Sequence, residues 1–220
     1  NDVYKWNSSM FYDDWSIKFL RKHLSKIDKV ISDCNKIKLD DAKLFGALTK
    51  KYQIVYAQSE VIKNISIKKE PTFKLLWASR LCYQKRTELL SYIIKSIHHL
   101  LPQISIDVYG AIEGDYEYLS NITGLNIKGE FDGFDELQIE QYDAFIYTSY
   151  FDGLPNIILE AMSRGMVVIA PDIGGISEVI EDGKTGYLIQ NHSDNIEMAN
   201  GYANMIEKMY QNWNNTVNIS

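Results

Sequence analysis

The sequence predicts an α/β protein whose main domain is a doubly wound parallel sheet. Two observations carry this: short, continuously apolar runs, and apolar stripes of helical period alternating with them from about Thr72 onward. Leu75-Leu76-Trp77-Ala78, Ala144-Phe145-Ile146-Tyr147 and Val167-Val168-Ile169-Ala170 are apolar at every position, as strands covered on both faces are. Ile104, Ile106 and Val108 alternate and add a further strand. Leu89, Leu90, Ile93, Ile94, Ile97 and Leu101 recur every three or four residues and predict a helix after Thr87. The remaining pattern predicts strands over 126–128 and 186–190, with helices after Pro155, after Gly175 and over 194–210.

The chain before this domain reads as a partial second α/β lobe, residues 1–57. Trp15, Phe19, Leu20, Leu24 and Ile27 predict an amphipathic helix carrying Lys18, Arg21, Lys22 and Lys26. A short strand at Val30-Ile31, a helix over 38–45 and a strand over 53–56 follow. The polar stretch 58–71, ending at Pro71, reads as an inter-domain linker. Residues 72–192 then form the main domain and 193–220 a C-terminal helix and tail. The chain begins at Asn1, and we expect it to be a piece of a longer protein.

Composition narrows the classes. A hydrophobic fraction of 45% and four prolines in 220 residues exclude a disordered chain, and two cysteines cannot frame a disulfide scaffold. No apolar run approaches the ~20 residues a membrane-spanning helix needs. The net charge of −6 is unevenly spread: 18 basic residues face 9 acidic ones up to Arg86, then 5 face 20 from Thr87 on. The basic residues of the first part are interleaved with acids and apolar helix positions, which fits solvated helix faces better than a nucleic-acid surface.

In open α/β sheets ligands gather at the carboxyl ends of the strands. Two such loops carry chemistry. Ser79-Arg80-Leu81-Cys82-Tyr83-Gln84-Lys85-Arg86 places cations ahead of a helix, either as a diphosphate clamp or as surface charge. Thr148-Ser149-Tyr150-Phe151-Asp152-Gly153-Leu154-Pro155-Asn156 opens a helix whose first N–H groups can face an anion. Glu160, about one turn in, is placed to accept hydrogen bonds from vicinal hydroxyls; Asp152, eight positions earlier, either meets a ligand or caps the helix, as Asn156 also could. No cluster has metal-ligand spacing; His98-His99 closes a helix, and His23 and His192 are isolated. The tripeptides at Asn64, Asn121 and Asn218 fit a glycosylation pattern but read as ordinary polar residues.

The stretch from Asp152-Gly153-Leu154-Pro155-Asn156-Ile157-Ile158-Leu159-Glu160-Ala161-Met162, through Gly165 and Ala170-Pro171-Asp172-Ile173-Gly174-Gly175-Ile176-Ser177-Glu178-Val179-Ile180, to Asp182-Gly183-Lys184-Thr185-Gly186-Tyr187-Leu188, resembles the donor-binding half of retaining glycosyltransferases of family 4 (group 1). Ala78-Ser79-Arg80-Leu81 with Lys85 is similar to that family's arginine and lysine pair, Asp107-Val108-Tyr109-Gly110 to its next strand and glycine, and Lys128-Gly129-Glu130-Phe131 to its base-contacting loop. The resemblance implies the GT-B fold, with residues 72–192 as its Rossmann-like nucleotide-sugar lobe. It implies that Arg80 and Lys85 neutralise the donor diphosphate, that Glu160 holds ribose hydroxyls, and that Asp152 with Gly153, Leu154, Pro155, Asn156 and Ile157 holds the donor sugar. Gly129, Glu130 and Phe131 would read the base. The family's usual motif has glutamate at both ends of the eight-residue step, whereas here the first is Asp152, one methylene shorter.

The activity implied is transfer of a sugar from a nucleoside-diphosphate sugar, such as a UDP-sugar or GDP-sugar, to an acceptor hydroxyl with retention, in polysaccharide or glycolipid synthesis. The acceptor would be a glycan or lipid-linked molecule. No metal or other cofactor is expected, since the two cations supply the charge, and no nucleic-acid partner is expected. A cytoplasmic setting, with peripheral membrane contact through the parent protein, goes with this reading, and the isolated chain is expected to transfer poorly because most of the acceptor lobe is missing. The alternative is a non-catalytic nucleotide-binding scaffold of the same fold.

Overall fold

The structure, a computed structural model, describes residues 14–23, 26–45, 51–59 and 70–216. Leu24 of the first amphipathic stripe, the connection over 60–69 and the tripeptides at Asn64 and Asn218 lie outside them.

Six strands form one parallel sheet: β3 (Lys74–Ala78), β4 (Ser105–Tyr109), β5 (Leu125–Gly129), β6 (Ala144–Ile146), β7 (Val168–Pro171) and β8 (Tyr187–Ile189), in the order β5-β4-β3-β6-β7-β8. The chain builds outward from β3 through β5, then returns to the other side of β3 and builds outward again. Numbered within the domain this is 3-2-1-4-5-6, the doubly wound order.

Alternate residues along the strands feed two cores. Leu75, Trp77, Ile106, Val108, Ala144, Ile146 and Ile169 face α3 (Leu89–Ile97) and α5 (Asn195–Gln211). Leu76, Ala78, Phe145, Val168 and Ala170 face α4 (Asn156–Ser163) and a set of short turns. Residues buried on both faces are what made these strands read as unbroken apolar runs. Met198, Ala199, Tyr202, Ala203, Ile206 and Met209 place one side of α5 in the first core, so the C-terminal helix is a structural layer of the same sheet. Asp194 caps it, accepting from the N–H groups of Ile196 and Glu197.

One expected helix is absent. After Gly175 there is only a three-residue 3₁₀ turn, Ile176–Glu178. Ile176 and Ile180 are both drawn into the second core, and Gly183, at φ +73°, reverses the chain toward β8. Those two demands take up the connection between β7 and β8.

The part before the sheet holds α1 (Asp14–His23), β1 (Val30–Ser32), α2 (Asn35–Phe45) and β2 (Tyr52–Ile54), with β1 and β2 forming a separate two-stranded parallel sheet. Trp15 and Phe19 stack on the exposed side of α1, one helical turn apart. One carboxylate gathers several of the contacts that seat this small lobe on the main domain. Glu178 accepts from the backbone N–H of Asn35 at 3.0 Å and of Lys36 at 2.7 Å, and from the Tyr56 hydroxyl at 2.8 Å. An acid at the N-terminus of α2 also meets the positive end of the helix dipole. Beside it Cys34 packs on Gly175, where an added Cβ would stand 2.4 Å from the Cys34 Cβ. Burial pushes the Cys34 thiol up to about 12, so it is a packing residue and not a reactive one.

Burial works to raise the Glu178 carboxyl, but the Asn35, Tyr56 and Lys36 hydrogen bonds outweigh it and leave it below its ordinary value of 4.5. A depressed carboxyl contributes stability above its unfolded value and loses it as pH falls through the folded one. Because the group is exposed, its charge contributes about 1 kcal/mol or less. Glu178→Gln is therefore expected to lower Tm by no more than about 2–4 °C at pH 7. The gap should close in acid, and a gap constant from pH 7 to pH 3 in thermal melts would contradict the assignment.

Candidate functional site

The sheet order fixes where a ligand can enter. From β3 the chain turns to α3 on one face, and from the neighbouring β6 it turns to α4 on the other, so the two loops part above the strand ends and leave a crevice. The loops are laced together at its floor. The Tyr150 N–H and the Ser149 hydroxyl both donate to the Gln84 carbonyl at 2.9 Å, and Gln84 Nε2 donates to the Phe151 carbonyl at 3.2 Å. Thr148 Oγ1 donates to the Lys85 carbonyl and accepts from the Trp77 indole, each at 2.8 Å.

Lys85 and Asp152 meet across this crevice. Lys85 Nζ lies 2.5 Å from Asp152 Oδ2 and 3.0 Å from the Tyr147 hydroxyl, and both side chains are mostly covered, 13% and 20% exposed. The Tyr147 hydroxyl donates to the same Oδ2, while the Gly153 N–H reaches Oδ1 at 3.0 Å. At an effective dielectric near 20 such a pair attracts by about 4 kcal/mol before desolvation is subtracted. Burial first, then the Asp152 charge and hydrogen bond, hold the Tyr147 phenol well above its ordinary range, so it remains a proton donor throughout the neutral range. Asp152 therefore does not cap α4. Pro155 occupies the cap position and no side chain caps the helix, leaving the first N–H groups of α4 open.

Two glycines allow this loop to sit where it does. Gly174, at φ +53°, would put a Cβ 2.1 Å from the Asp152 carbonyl oxygen and 2.3 Å from that of Gly153. Gly153 is covered by a residue of the small lobe: Asp33 Oδ2 accepts from the Leu154 N–H at 3.0 Å, and a Cβ on Gly153 would strike that oxygen. Asp33 Oδ1 is buried with no hydrogen-bond partner among the described residues.

The other expected residues are more dispersed. Arg80 is exposed and its Nη1 is shared by the two oxygens of Glu113, at 3.1 and 3.2 Å, on the loop after β4. An exposed pair of this kind contributes about 0–1 kcal/mol, so exchange of Glu113 for a phosphate is cheap. Glu160 lies on the second turn of α4, partly exposed, and no described residue bonds its carboxylate. Asn156 is exposed and Ile157 half-buried at the start of that helix, while Leu154 and Pro155 are buried. Gly129 ends β5 at φ +92° and its carbonyl accepts from the Gly110 N–H at 2.7 Å. Glu130 beyond it is exposed, and Phe131 packs edge-on against Tyr109 with ring centroids 6.3 Å apart. The loop of Gly129 to Phe131 and the Arg80 loop both lie at the carboxyl edge of the sheet, two strand spacings apart, about 10 Å. Among the described residues no group of His, Cys, Asp and Glu could hold a metal ion, and no helix is long and apolar enough to cross a membrane. The open depression lined by Asn35, Lys36, Leu39, Tyr56, Ser177 and Glu178 shares no residue with the expected site.

Arg86 differs from the sequence reading, which grouped it with Arg80 and Lys85 by charge. It is fully buried, donating to the carbonyls of His192 at 2.8 Å and Ser193 at 3.1 Å and to Asn195 Oδ1 at 2.8 Å, with its guanidinium 4.4 Å from the Tyr150 ring centroid. It fastens the start of α5 to the β3 loop and is closed to a ligand. Sequence reasoning also missed Tyr147, Asp33 and Glu113. A hydroxyl at the end of an apolar strand was the available signal for Tyr147; nothing in spacing marks the other two. Arg86→Met should lower stability by about 3 kcal/mol or more in urea unfolding, since it strands buried carbonyls, whereas Arg80→Met should cost less than about 1 kcal/mol. Equal losses would contradict the different placements of the two arginines.

Comparison with known proteins places this geometry in a family. A profile described as "Glycosyl transferases group 1" matches residues 58–217. The chain is 31% identical over 147 residues to the "UDP-N-acetylglucosamine--peptide N-acetylglucosaminyltransferase GtfA subunit" of Streptococcus pneumoniae, covering 63% of this chain and 29% of that protein. It is 30% identical over 150 residues to the O-antigen biosynthesis glycosyltransferase WbnH of Escherichia coli, covering 67% and 40%. The chain thus spans well under half the length of these relatives. Among solved structures it shares its fold with Anabaena Alr3699/HepE in complex with UDP and glucose, at a TM-score of 0.76 and 19% identity, covering 95% of this chain and 61% of that one. The pneumococcal O-GlcNAc transferase GtfA in complex with UDP and GlcNAc gives 0.74 and 22%, covering 93% and 43%. With the doubly wound sheet, the crevice between β3 and β6 and a family profile spanning most of its length, the chain belongs to the group 1 glycosyl transferases.

Proposed function

We propose that this chain is the donor-binding part of a retaining glycosyltransferase that takes a UDP-sugar and transfers the sugar to a hydroxyl of a glycan or lipid-linked acceptor. The observation that carries the reading is the meeting of Lys85 and Asp152 in the crevice between β3 and β6, beside the uncapped start of α4. A cation, a hydroxyl-accepting carboxylate and open backbone N–H groups are what a sugar diphosphate requires at adjacent points. The UDP in the Anabaena and pneumococcal structures favours a UDP-sugar over the GDP-sugar alternative.

In this reading the diphosphate lies between Lys85 and Arg80, the latter exchanging Glu113 for phosphate. Glu160, with its carboxylate free, takes the ribose hydroxyls, and Gly129, Glu130 and Phe131 meet the base about two strands away. Asp152 and backbone groups from Gly153 to Ile157, with the N–H groups of Asn156 and Ile157 as the open donors, hold the sugar. As the bond between the anomeric carbon and the diphosphate oxygen breaks, its electron pair goes to that oxygen, where Lys85 and Arg80 stabilise the growing charge in place of a metal. The acceptor hydroxyl adds to the face the diphosphate leaves, and its proton passes to the departing phosphate. Contributions to acceptor binding come from the acceptor-side lobe of which residues 1–57 are the remnant.

Calorimetric titration of the chain with UDP, GDP, ADP and CMP, with EDTA present, tests this. UDP is expected to bind most tightly, and Glu160→Ala and Arg80→Ala are each expected to weaken it at least about tenfold, the loss of one or two charge-assisted hydrogen bonds. No binding of any of the four, or UDP affinity unchanged within twofold in both variants, would overturn the assignment.

A further inference from the structure

We infer that Tyr147 is a positioning residue for the donor sugar, the group that lets an aspartate serve at position 152, and that the sugar hydroxyl is received by Asp152 Oδ1. The inference rests on the donor-binding reading and goes beyond it by assigning a residue and an atom.

The argument is one of valence and reach. The Tyr147 hydroxyl, Lys85 Nζ and Asp152 Oδ2 close a triangle of hydrogen bonds: the phenol donates to Oδ2, the ammonium donates to Oδ2 at 2.5 Å, and the phenol accepts from the ammonium at 3.0 Å. A carboxylate offers about four lone-pair sites. Two donors engage Oδ2, whereas Oδ1 has only the Gly153 N–H at 3.0 Å. The remaining acceptor capacity beside the crevice is therefore on Oδ1.

Tyr147 cannot retreat from this triangle. It is 1% exposed, its ring packs in the second core, and its backbone is held by the Ile169 carbonyl at 2.9 Å and by the Tyr202 hydroxyl at 2.5 Å. The phenolic oxygen already stands in hydrogen-bond contact with Oδ2, so a carboxylate carried one methylene further in the same direction, as in a glutamate, would run into it. The phenol and the short acid are thus matched: the hydroxyl fills the length the side chain lacks and fixes the plane of the carboxylate. A tyrosine at the end of an otherwise apolar strand run has no packing need for its hydroxyl, and this hydroxyl has Asp152 and Lys85 as its partners.

The test is a double-mutant cycle read as the ratio of affinities for UDP-sugar and for UDP, which isolates the sugar. The chain, Tyr147→Phe, Asp152→Glu and the double variant are each titrated with UDP, UDP-glucose and UDP-N-acetylglucosamine, with Tm recorded for all four. In the unsubstituted chain the sugar of at least one of the two is expected to improve binding over UDP alone. Tyr147→Phe should lose that gain by about tenfold with UDP affinity changed less than threefold, the size of one hydrogen bond to a charged group. Asp152→Glu should lose a similar factor alone but no more than about threefold when added to Tyr147→Phe, where the phenolic oxygen no longer blocks the longer acid. Additive losses, or a fall in UDP affinity that matches the fall for both sugars, would overturn the inference and leave the donor-binding reading intact. Failure of the unsubstituted chain to bind UDP at all would overturn both.

Discussion

The adjacency of β3 and β6 is the constraint on which the rest of the molecule depends. Because β6 pairs with the first strand of the domain and not with the third, its following helix is sent to the opposite face, and two loops are forced to part at the strand ends. The candidate groups on these two loops are placed by that parting. Lys85 hangs from one loop and Asp152 from the other, and their contact exists only because Leu75 and Leu76 pair with Ala144 and Phe145 below them. The loops are then tied to each other by their own hydroxyls and carbonyls, with the Lys85 and Asp152 side chains meeting beside them.

A second theme is how an acidic domain satisfies its carboxylates when cations are few. From Thr87 onward only five lysines and arginines accompany twenty acids. Tyrosine takes over much of the work. Tyr142 donates to the buried Asp107, Tyr150 to Glu88, Tyr210 to Asp143, Tyr56 to Glu178 and Tyr147 to Asp152. A phenol donates one strong hydrogen bond without bringing a charge that must itself be desolvated, and its ring adds apolar area to the core. This leaves the exposed Arg80 and the mostly covered Lys85 as the cations at the crevice, with Arg86 committed to the anchoring of α5.

The small lobe shows how a limited contact fixes the entrance. Glu178 gathers the start of α2 and Tyr56, Cys34 rests on Gly175, and Asp33 reaches the Leu154 N–H at the threshold of α4. The same loop that holds the candidate sugar-facing groups is therefore also the seat of the other lobe, so position of the lobe and shape of the crevice are coupled through a few polar contacts and glycines.

Much of this was legible in the sequence, for a physical reason: strands buried on both faces must be apolar throughout, and helices between them must be apolar on one stripe, so β3, β4, β6, β7, α3, α4 and α5 announce themselves locally. The approximate places of Arg80, Lys85, Asp152 and Glu160, at strand ends and a helix start, follow from the same pattern. What the pattern cannot carry is partnership. Arg86 and Arg80 are alike in sequence, yet one is sealed under α5 and the other lies on the surface; the run after Gly175 has helical composition, yet Ile176 and Ile180 are claimed by a core assembled from distant strands; Tyr147 reads as one more apolar strand residue until Asp152 is brought against its hydroxyl. Secondary structure and its amphipathic faces are determined by neighbours in the chain, and the sequence alone determines them here. The contact of Lys85 with Tyr147 and Asp152, the burial of Arg86 and the seating of Glu178 depend on residues tens to more than a hundred positions apart, and only the tertiary structure decides them.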